Sequence, residues 1–414
     1  MYKYRWDDNM LNTGSTGFML LATSLVMLMT PGLAFFYGGL SCKRNILGIM
    51  MQSFVSMGLT TVLWFLIGYS LCFSGGEGAI IGNLDKMLLH GITPTTIIKD
   101  MGFPEIVFVA YQMMFAIITP ALITGAFANR VTFKAYLIFL VLWQLFVYYP
   151  FVHMVWGGGL LAQMGVLDFA GGIVVHATAG FAALASVFYV GSRKYNKITK
   201  PNNVPLMAIG TALLWFGWYG FNAGSELNVD GITSLAFLNS DIAASFAAIT
   251  WMTMEWYKEG KPKFVGLMTG AVAGLATITP AAGLVSLPVA ALMGILGSVV
   301  CYFAVHLKNK MEWDDALDVW GVHGIGGVTG TILLGVFASA AINPVGANGL
   351  LYGGTAFFIK EVVVVAATSV YAFVFTYIML MLINIVTPVK VTDEEQLIGL
   401  DISMHGECAY DTIH

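Results

Sequence analysis

From residue 16 to residue 388 the chain is a succession of apolar runs separated by short breaks of charge, Pro, Gly or Asn, and this spacing constrains the fold more than any single motif. Backbone N–H and C=O groups immersed in hydrocarbon must be satisfied within the spanning structure, which leaves helices or a closed barrel, and a helix needs about 20 apolar residues to cross. The runs have helical length. They lie near residues 16–40, 46–73, 105–128, 133–150, 169–191, 204–222, 241–257, 264–279, 286–307, 320–340 and 355–388, so eleven membrane helices are expected. Charged residues make up only 10% of the chain and apolar ones 58%, where soluble domains carry about 25% and roughly 45–50%. A soluble enzyme, a collagenous chain and a disordered chain are excluded. The net charge of -4 leaves no basic stripe for a nucleic-acid backbone, so the expected surroundings are a lipid bilayer and no nucleic acid.

Cys42, Cys72, Cys301 and Cys408 are isolated from one another, with neither a CxxC pair nor metal-ligand spacing. Asp7 and Asp8 stand where a signal peptide would need a basic segment, so the first helix is expected to be uncleaved. Lys and Arg accumulate in cytoplasmic loops. Counted over alternate loops, 14 of the 19 basic residues fall on one side, among them Lys43, Arg44, Arg130, Arg193, Lys194, Lys263, Lys308 and Lys390. Lys3, Arg5, Lys86, Lys99 and Lys360 fall on the other. The expected orientation is therefore N-terminus outside and C-terminus cytoplasmic, in a plasma-membrane protein.

Eleven helices divide as five, five and one. The fifth run opens Asp168-Phe-Ala-Gly-Gly-Ile-Val-Val-His176-Ala-Thr-Ala-Gly180, and the tenth opens Asp315-Ala-Leu-Asp318-Val-Trp-Gly-Val-His323-Gly-Ile-Gly-Gly327. Both read Asp-x7-His-x3-Gly, and the loop count starts them from opposite faces. That pattern predicts two inverted halves, about 16–191 and 204–340, followed by a final helix at about 355–388. Eight helical residues rise about 12 Å and half a hydrocarbon core is about 15 Å, so both histidines are expected near the midplane. Gly172, Gly180, Gly324, Gly327 and Gly330 would let the helices approach closely. A lone histidine here could simply bond one helix to another. Two at matching positions point to a pathway, because ionisable groups inside a membrane usually mark one. A metal site is the rival reading, but no third intramembrane ligand recurs beside them at suitable spacing, and neither metal nor cofactor is expected.

The run Asp168-Phe169-Ala170-Gly171-Gly172-Ile173-Val174-Val175-His176 resembles a signature of the ammonium transporter (Amt/Mep/Rh) superfamily. So do Phe216-Gly217-Trp218-Tyr219-Gly220-Phe221-Asn222-Ala223-Gly224-Ser225, Pro31-Gly32-Leu33-Ala34-Phe35-Phe36-Tyr37-Gly38-Gly39 and Gly321-Val322-His323-Gly324. The resemblance runs from the first helix to the tail, and Trp156 with Ser225 places it in the Amt branch. It implies an all-α polytopic fold of eleven helices in two inverted halves plus a last long helix. It also implies a homotrimer with one narrow pore per subunit, and ammonium or ammonia as substrate. Residues 1–387 would form the ammonium transporter transmembrane domain and 388–414 a cytoplasmic C-terminal tail.

The resemblance assigns an outer substrate-binding site to Tyr111, Trp156 and Ser225, a pore gate to Phe115 and Phe221, and the pore twin-histidine to His176 and His323. Indole and phenol faces attract a cation by about 0.5–2 kcal/mol, and a hydroxyl can accept one of its hydrogen bonds. Without the resemblance Trp156 reads as an interfacial belt residue and the two phenylalanines as packing. Asp168 is assigned as a structural acid near the outer site, which agrees with an Asp capping the start of a helix. Tyr111 is a departure, since many members carry Phe there, but the ring face is kept. The tail from Gly399 to Tyr410 resembles one that lies against the cytosolic face, although its composition alone suggests a solvated terminus. Basic inner loops and that tail resemble a docking face for PII-type, GlnK-like signalling proteins. The implied function is an ammonium transporter that deprotonates ammonium outside and conducts ammonia, with or without a co-transferred proton. An ammonium sensor with little flux is the alternative. A neutral-gas or water channel is disfavoured by the cation-directed aromatics. An enzyme is not expected, because the sequence shows neither a nucleophile and base pair nor a nucleotide loop.

Overall fold

The structure, a computed structural model, describes residues 11–75, 78–98, 100–195 and 200–410. Lys3, Arg5, Asp7, Asp8, Lys99 and Lys197 lie outside the described residues. Among the described residues, eleven helices are long and apolar enough to cross a membrane. They are α1 (Thr13–Leu40), α2 (Ile46–Phe73), α3 (Glu105–Ile123), α4 (Phe133–Gln163), α5 (Gly172–Val190), α6 (Val204–Glu226), α7 (Gly231–Glu259), α8 (Phe264–Ala281), α9 (Leu287–Lys310), α10 (Trp320–Phe337) and α11 (Thr355–Val386). A two-residue hairpin, Ile97–Ile98 with Phe103–Pro104, lies between α2 and α3.

Two boundaries differ from the sequence reading by ten residues or more. The fourth helix was expected to stop at Pro150, yet it continues to Gln163 with a break at Gly157–Gly159. A π-helical turn, Gln144–Tyr148, precedes the proline, and the Phe146 carbonyl, four residues before it, accepts from the Tyr371 hydroxyl at 2.8 Å in place of the N–H that Pro150 lacks. The seventh helix begins at Gly231 instead of 241. Asp230 accepts from the N–H groups of Ile232 and Thr233, and this cap starts the helix one full polar stretch early. Asn239 and Ser240 then sit inside it, buried, with Asn239 Nδ2 donating to the carbonyls of Ala282 and Val285 in the connection between α8 and α9 and Ser240 Oγ accepting from Asn222 Nδ2 of α6.

The basic residues that the loop count put on one side meet at one end of the bundle. Arg193 pairs with Asp314 at 2.6 Å, and Arg130 reaches the same carboxylate at 3.7 Å. Burial raises the Asp314 carboxyl, but the Arg193 and Arg130 guanidiniums outweigh it and hold the group below its ordinary range. The tail is ordered against this basic face as two short helices, α12 (Asp393–Ile398) and α13 (Leu400–His405). Asp401 Oδ1 accepts from Gly48 N at 2.7 Å, Asn45 Oδ1 accepts from Leu400 N at 2.7 Å, and Arg44 donates to the Leu397 carbonyl at 3.0 Å. Gly399 turns the chain at φ 103°, and a Cβ there would stand 2.4 Å from Arg44 Cβ. Composition pointed to solvent for this segment; its contacts are backbone and amide bonds that composition cannot register.

Candidate functional site: a pore with facing histidines

α5 and α10 start from opposite faces and are opened by the same device. Asp168 Oδ1 accepts from Gly171 N and Gly172 N at 2.8 and 2.6 Å, and Oδ2 accepts from Ile173 N and Val174 N at 2.8 and 3.0 Å. Asp315 accepts from Val319 N at 3.1 Å and Trp320 N at 2.8 Å. The first turn of each helix is π-helical, Gly172–Ala177 and Trp320–Gly324, and each contains its histidine. Such widened turns redirect side chains and are frequent at functional sites.

Glycine sets how closely the two helices approach. A Cβ on Gly180 would lie 2.1 Å from Gly324 Cα, and one on Gly327 would lie 2.7 Å from His176 Cβ. The backbones therefore touch where side chains would hold them apart. The result is a pair of buried imidazoles with Nδ1 atoms 3.3 Å apart, ring centroids 5.3 Å apart and planes 18° from parallel. Facing nitrogens at that distance require one donor and one acceptor, so the rings take complementary roles and cannot both present a proton. His176 Nε2 has no hydrogen-bond partner among the described residues. It borders a cavity of about 10 Å³ lined by Met29, Leu33, Ile118, Leu122, Val175, Leu214, Trp218, Phe221 and the two histidines. That is room for about one water-sized molecule.

Above the histidines, on the face opposite the basic one, Phe115 and Phe221 stack with centroids 4.2 Å apart and planes at 31°. Both rings are buried. Phe221 lies 6.1 Å from the His176 ring, and the Trp156 ring stands edge-on to Phe115 at 5.9 Å. Above the phenylalanines opens a cavity of about 280 Å³ lined by Met101, Phe108, Gln112, Phe115, Val155, Trp156, Phe169, Ser225 and Leu227. Mouth, phenylalanine pair, narrow lumen and histidine pair thus follow one another through the bundle.

The Ammonium Transporter Family model matches residues 17–410. The chain belongs to the ammonium transporter family. It is 44% identical to an ammonium transporter of Bacillus subtilis, over 97% of this chain and 99% of that one. To Ammonium transporter Amt1 of Archaeoglobus fulgidus it is 40% identical, over 97% of this chain and all of the other. The crystal structure of Candida albicans Mep2 superposes with a TM-score of 0.87 at 33% identity, covering 94% of this chain and 88% of that one. A structure described as a sensor Amt protein superposes with a TM-score of 0.85 at 25% identity, over 94% and 98% of the two chains. With eleven candidate spans, the family member is a multi-pass membrane protein.

Within this family member the expected site residues fall together, with one change of place. Trp156 and Ser225 line the mouth, and Trp156 donates its indole N–H to the Asp168 carbonyl at 2.8 Å. Asp168 stands behind the mouth as the cap of α5, its carboxylate raised by burial against the pull of four backbone N–H bonds. Tyr111 was expected to offer a ring face to the cation, but it is fully buried and does not line the cavity. It packs behind Phe115 at 5.0 Å, and its hydroxyl bonds the Gly220 and Phe221 carbonyls at 2.9 and 3.0 Å and meets Ser225 Oγ at 3.2 Å. The phenol therefore anchors the end of α6 and Ser225.

Three polar or aromatic wall residues were not assigned by the sequence reading. Phe108 and Phe169 add aromatic surface to the mouth, and Gln112 is buried with an Oε1 that has no partner among the described residues. The neighbour of Tyr111 thus offers a desolvated acceptor, costly to leave unmade, in the wall a cation would approach. Helical spacing gives the only available signal. Phe108, Gln112 and Phe115 share one face of α3 at intervals of four and three.

Proposed function

We propose that this protein carries ammonium nitrogen across the plasma membrane, capturing the ion at the mouth and passing ammonia through the lumen. The observation that carries the reading is the change in character along one path. The mouth offers indole and phenyl faces with the acceptors Ser225 Oγ and Gln112 Oε1, and below the phenylalanine pair the lumen is apolar except for two imidazoles. Ammonium gains at the mouth what a cation gains from π faces and hydrogen bonds. Below it an ion would lose water for phenyl, methionine and leucine walls, at a cost of about 2.5–3.5 kcal/mol or more at mid-bilayer. Release of the proton to water in the cavity above Phe115 and Phe221 removes that cost, and ammonia exchanges hydrogen bonds with His176 and His323 on the way through, with or without the proton following; a current accompanies transport only if it does. Potassium has no proton to leave behind and is rejected by the same lumen.

The surrounding assignments follow the same reading. The basic face is cytoplasmic by the positive-inside rule, so residues 1–387 form the transport domain and the tail from residue 388 docks inside. Copies assemble as homotrimers. In support, Asp241 sits ten residues into α7, about 15 Å deep, and is half-buried, held by Trp215 and Tyr219 at 3.1 and 2.8 Å. Another subunit would spare this acid from facing lipid. The protein performs no covalent chemistry on its cargo beyond proton exchange. Its basic face and docked tail suit a PII-type, GlnK-like regulator, which a pull-down with the cognate PII protein tests.

The transport reading is tested in proteoliposomes by imposing an ammonium gradient and following internal pH together with current. Ammonium-dependent pH change that saturates, with no response to potassium, is expected. Silence from correctly folded protein overturns it in favour of a sensor.

A further inference from the structure

We infer that Lys360 and Glu361, consecutive residues on α11, clamp the turn that carries Asp168 and thereby position the mouth of the pore. The inference rests on the transport reading and assigns a task to the one helix that stands outside the two inverted halves. Glu361 is fully buried, and its Oε1 accepts from Leu167 N at 2.8 Å. Lys360 Nζ donates to the Met164 carbonyl at 2.7 Å. The two side chains therefore hold both ends of the turn 164–167 that joins α4 to α5. Inside that turn Gly165 has φ +74°, and a Cβ there would lie 3.1 Å from Lys360 Nζ, so the lysine stands directly over it.

Asp168 follows the turn and acts in two directions. Its carboxylate receives four backbone N–H groups that open α5, and its carbonyl receives the Trp156 indole N–H at 2.8 Å. Trp156 lines the mouth. A displacement of Leu167 is thus passed through one residue to the aromatic face meant for the cation. Glu361 commits a fully desolvated carboxyl to one N–H while its Oε2 has no hydrogen-bond partner among the described residues. An aliphatic side chain would fill that space at lower cost if packing were its only task. Glu361 and Lys360 are positioning residues, since neither lines the mouth or the lumen.

The test compares wild type, Glu361→Gln and Glu361→Ala in proteoliposomes, reading half-saturating ammonium and maximal signal separately, with thermal stability of the purified protein alongside. Gln keeps an oxygen for Leu167 N and is expected to match wild type. Ala is expected to raise half-saturation about fivefold, in the range of coupling through a contact network, while the maximal signal stays near wild type. A loss of maximal signal at unchanged half-saturation, or Gln behaving as Ala does, overturns the clamp. If Ala yields no folded protein, Lys360→Met removes the Met164 bond while keeping the Glu361 bond to Leu167 N, and carries the same expectation. A silent wild type overturns the transport reading and the clamp together, whereas an active wild type with an unshifted Ala variant overturns the clamp alone.

Discussion

The two ends of the pore are built from one device in unlike surroundings. At the mouth Asp168 takes four backbone N–H groups and, among the described residues, no cation, whereas at the basic face Asp315 takes two, while Lys308 Nζ bonds its carbonyl at 2.7 Å and pairs with Asp318 at 2.6 Å. The mouth is walled with aromatic rings and closed by the phenylalanine pair. The basic end instead has a wide cavity of about 570 Å³ among Arg193, Lys308, Trp313, Asp314, Asp315 and Asp318. Both arrangements deliver a histidine to the same depth, so helix opening and histidine placement are the common function of the repeat. On the transport reading, selection among ions belongs to the aromatic end.

The largest expected effect of breaking this comparison is on folding. Asp168→Ala leaves four N–H groups without their acceptor, and at about 1–3 kcal/mol for each unmade bond it should destabilise by on the order of 4 kcal/mol or more. Asp315→Ala abandons two and should cost roughly half as much. Thermal unfolding in detergent checks the ranking, and equal losses would refute the difference between the two caps.

Next comes the helix crossing. Gly180→Ala puts a methyl group 2.1 Å from Gly324 Cα, where only backbone can yield. A cost of about 1–3 kcal/mol is expected, and the imidazoles should separate, with loss of ammonium-dependent signal at measurable folded yield. At the mouth, Gln112→Leu removes one acceptor for a charged donor, and half-saturation should rise about tenfold. The same measurement on Asp318→Asn, at the basic end, should show little change. If the two variants respond alike, recognition is not confined to the mouth.

The smallest effect is pH dependence at the basic end. The folded Asp314 carboxyl lies below its ordinary value of 3.8 because the two guanidiniums outweigh burial. Its contribution to stability is therefore complete above pH 3.8 and is lost as pH falls through the lower folded value. Asp314→Asn should remove that acid-side decline, which a melting series from pH 6 downward in wild type and variant would show.

Much of this was legible in the chain itself. Long apolar runs leave helices little alternative, and Asp-x7-His-x3-Gly appears twice because the capping device repeats. The start of α7 was placed ten residues late because its first third carries Thr233, Ser234, Asn239 and Ser240, of which Asn239 and Ser240 are buried and bonded across the bundle. The π-helical turns under both histidines leave no compositional trace, since they arise from how the helices pack. Tyr111 was assigned to the mouth by motif, whereas one helical position decides that Gln112 faces the cavity and Tyr111 faces the end of α6. The Lys360 and Glu361 contacts span 196 and 194 residues of sequence, a separation at which no local pattern indicates a partner.

Passage along the histidine pair is tested most directly by the His176→Ala, His323→Ala double variant against wild type, reading ammonium-driven current and internal pH in proteoliposomes of verified folded protein. The ammonium-driven pH change, and any current that accompanies it, should be lost, because the cavity below the phenylalanines is then walled only by apolar side chains and the Trp218 indole. A double variant that retains both signals would contradict a pathway through the histidine pair.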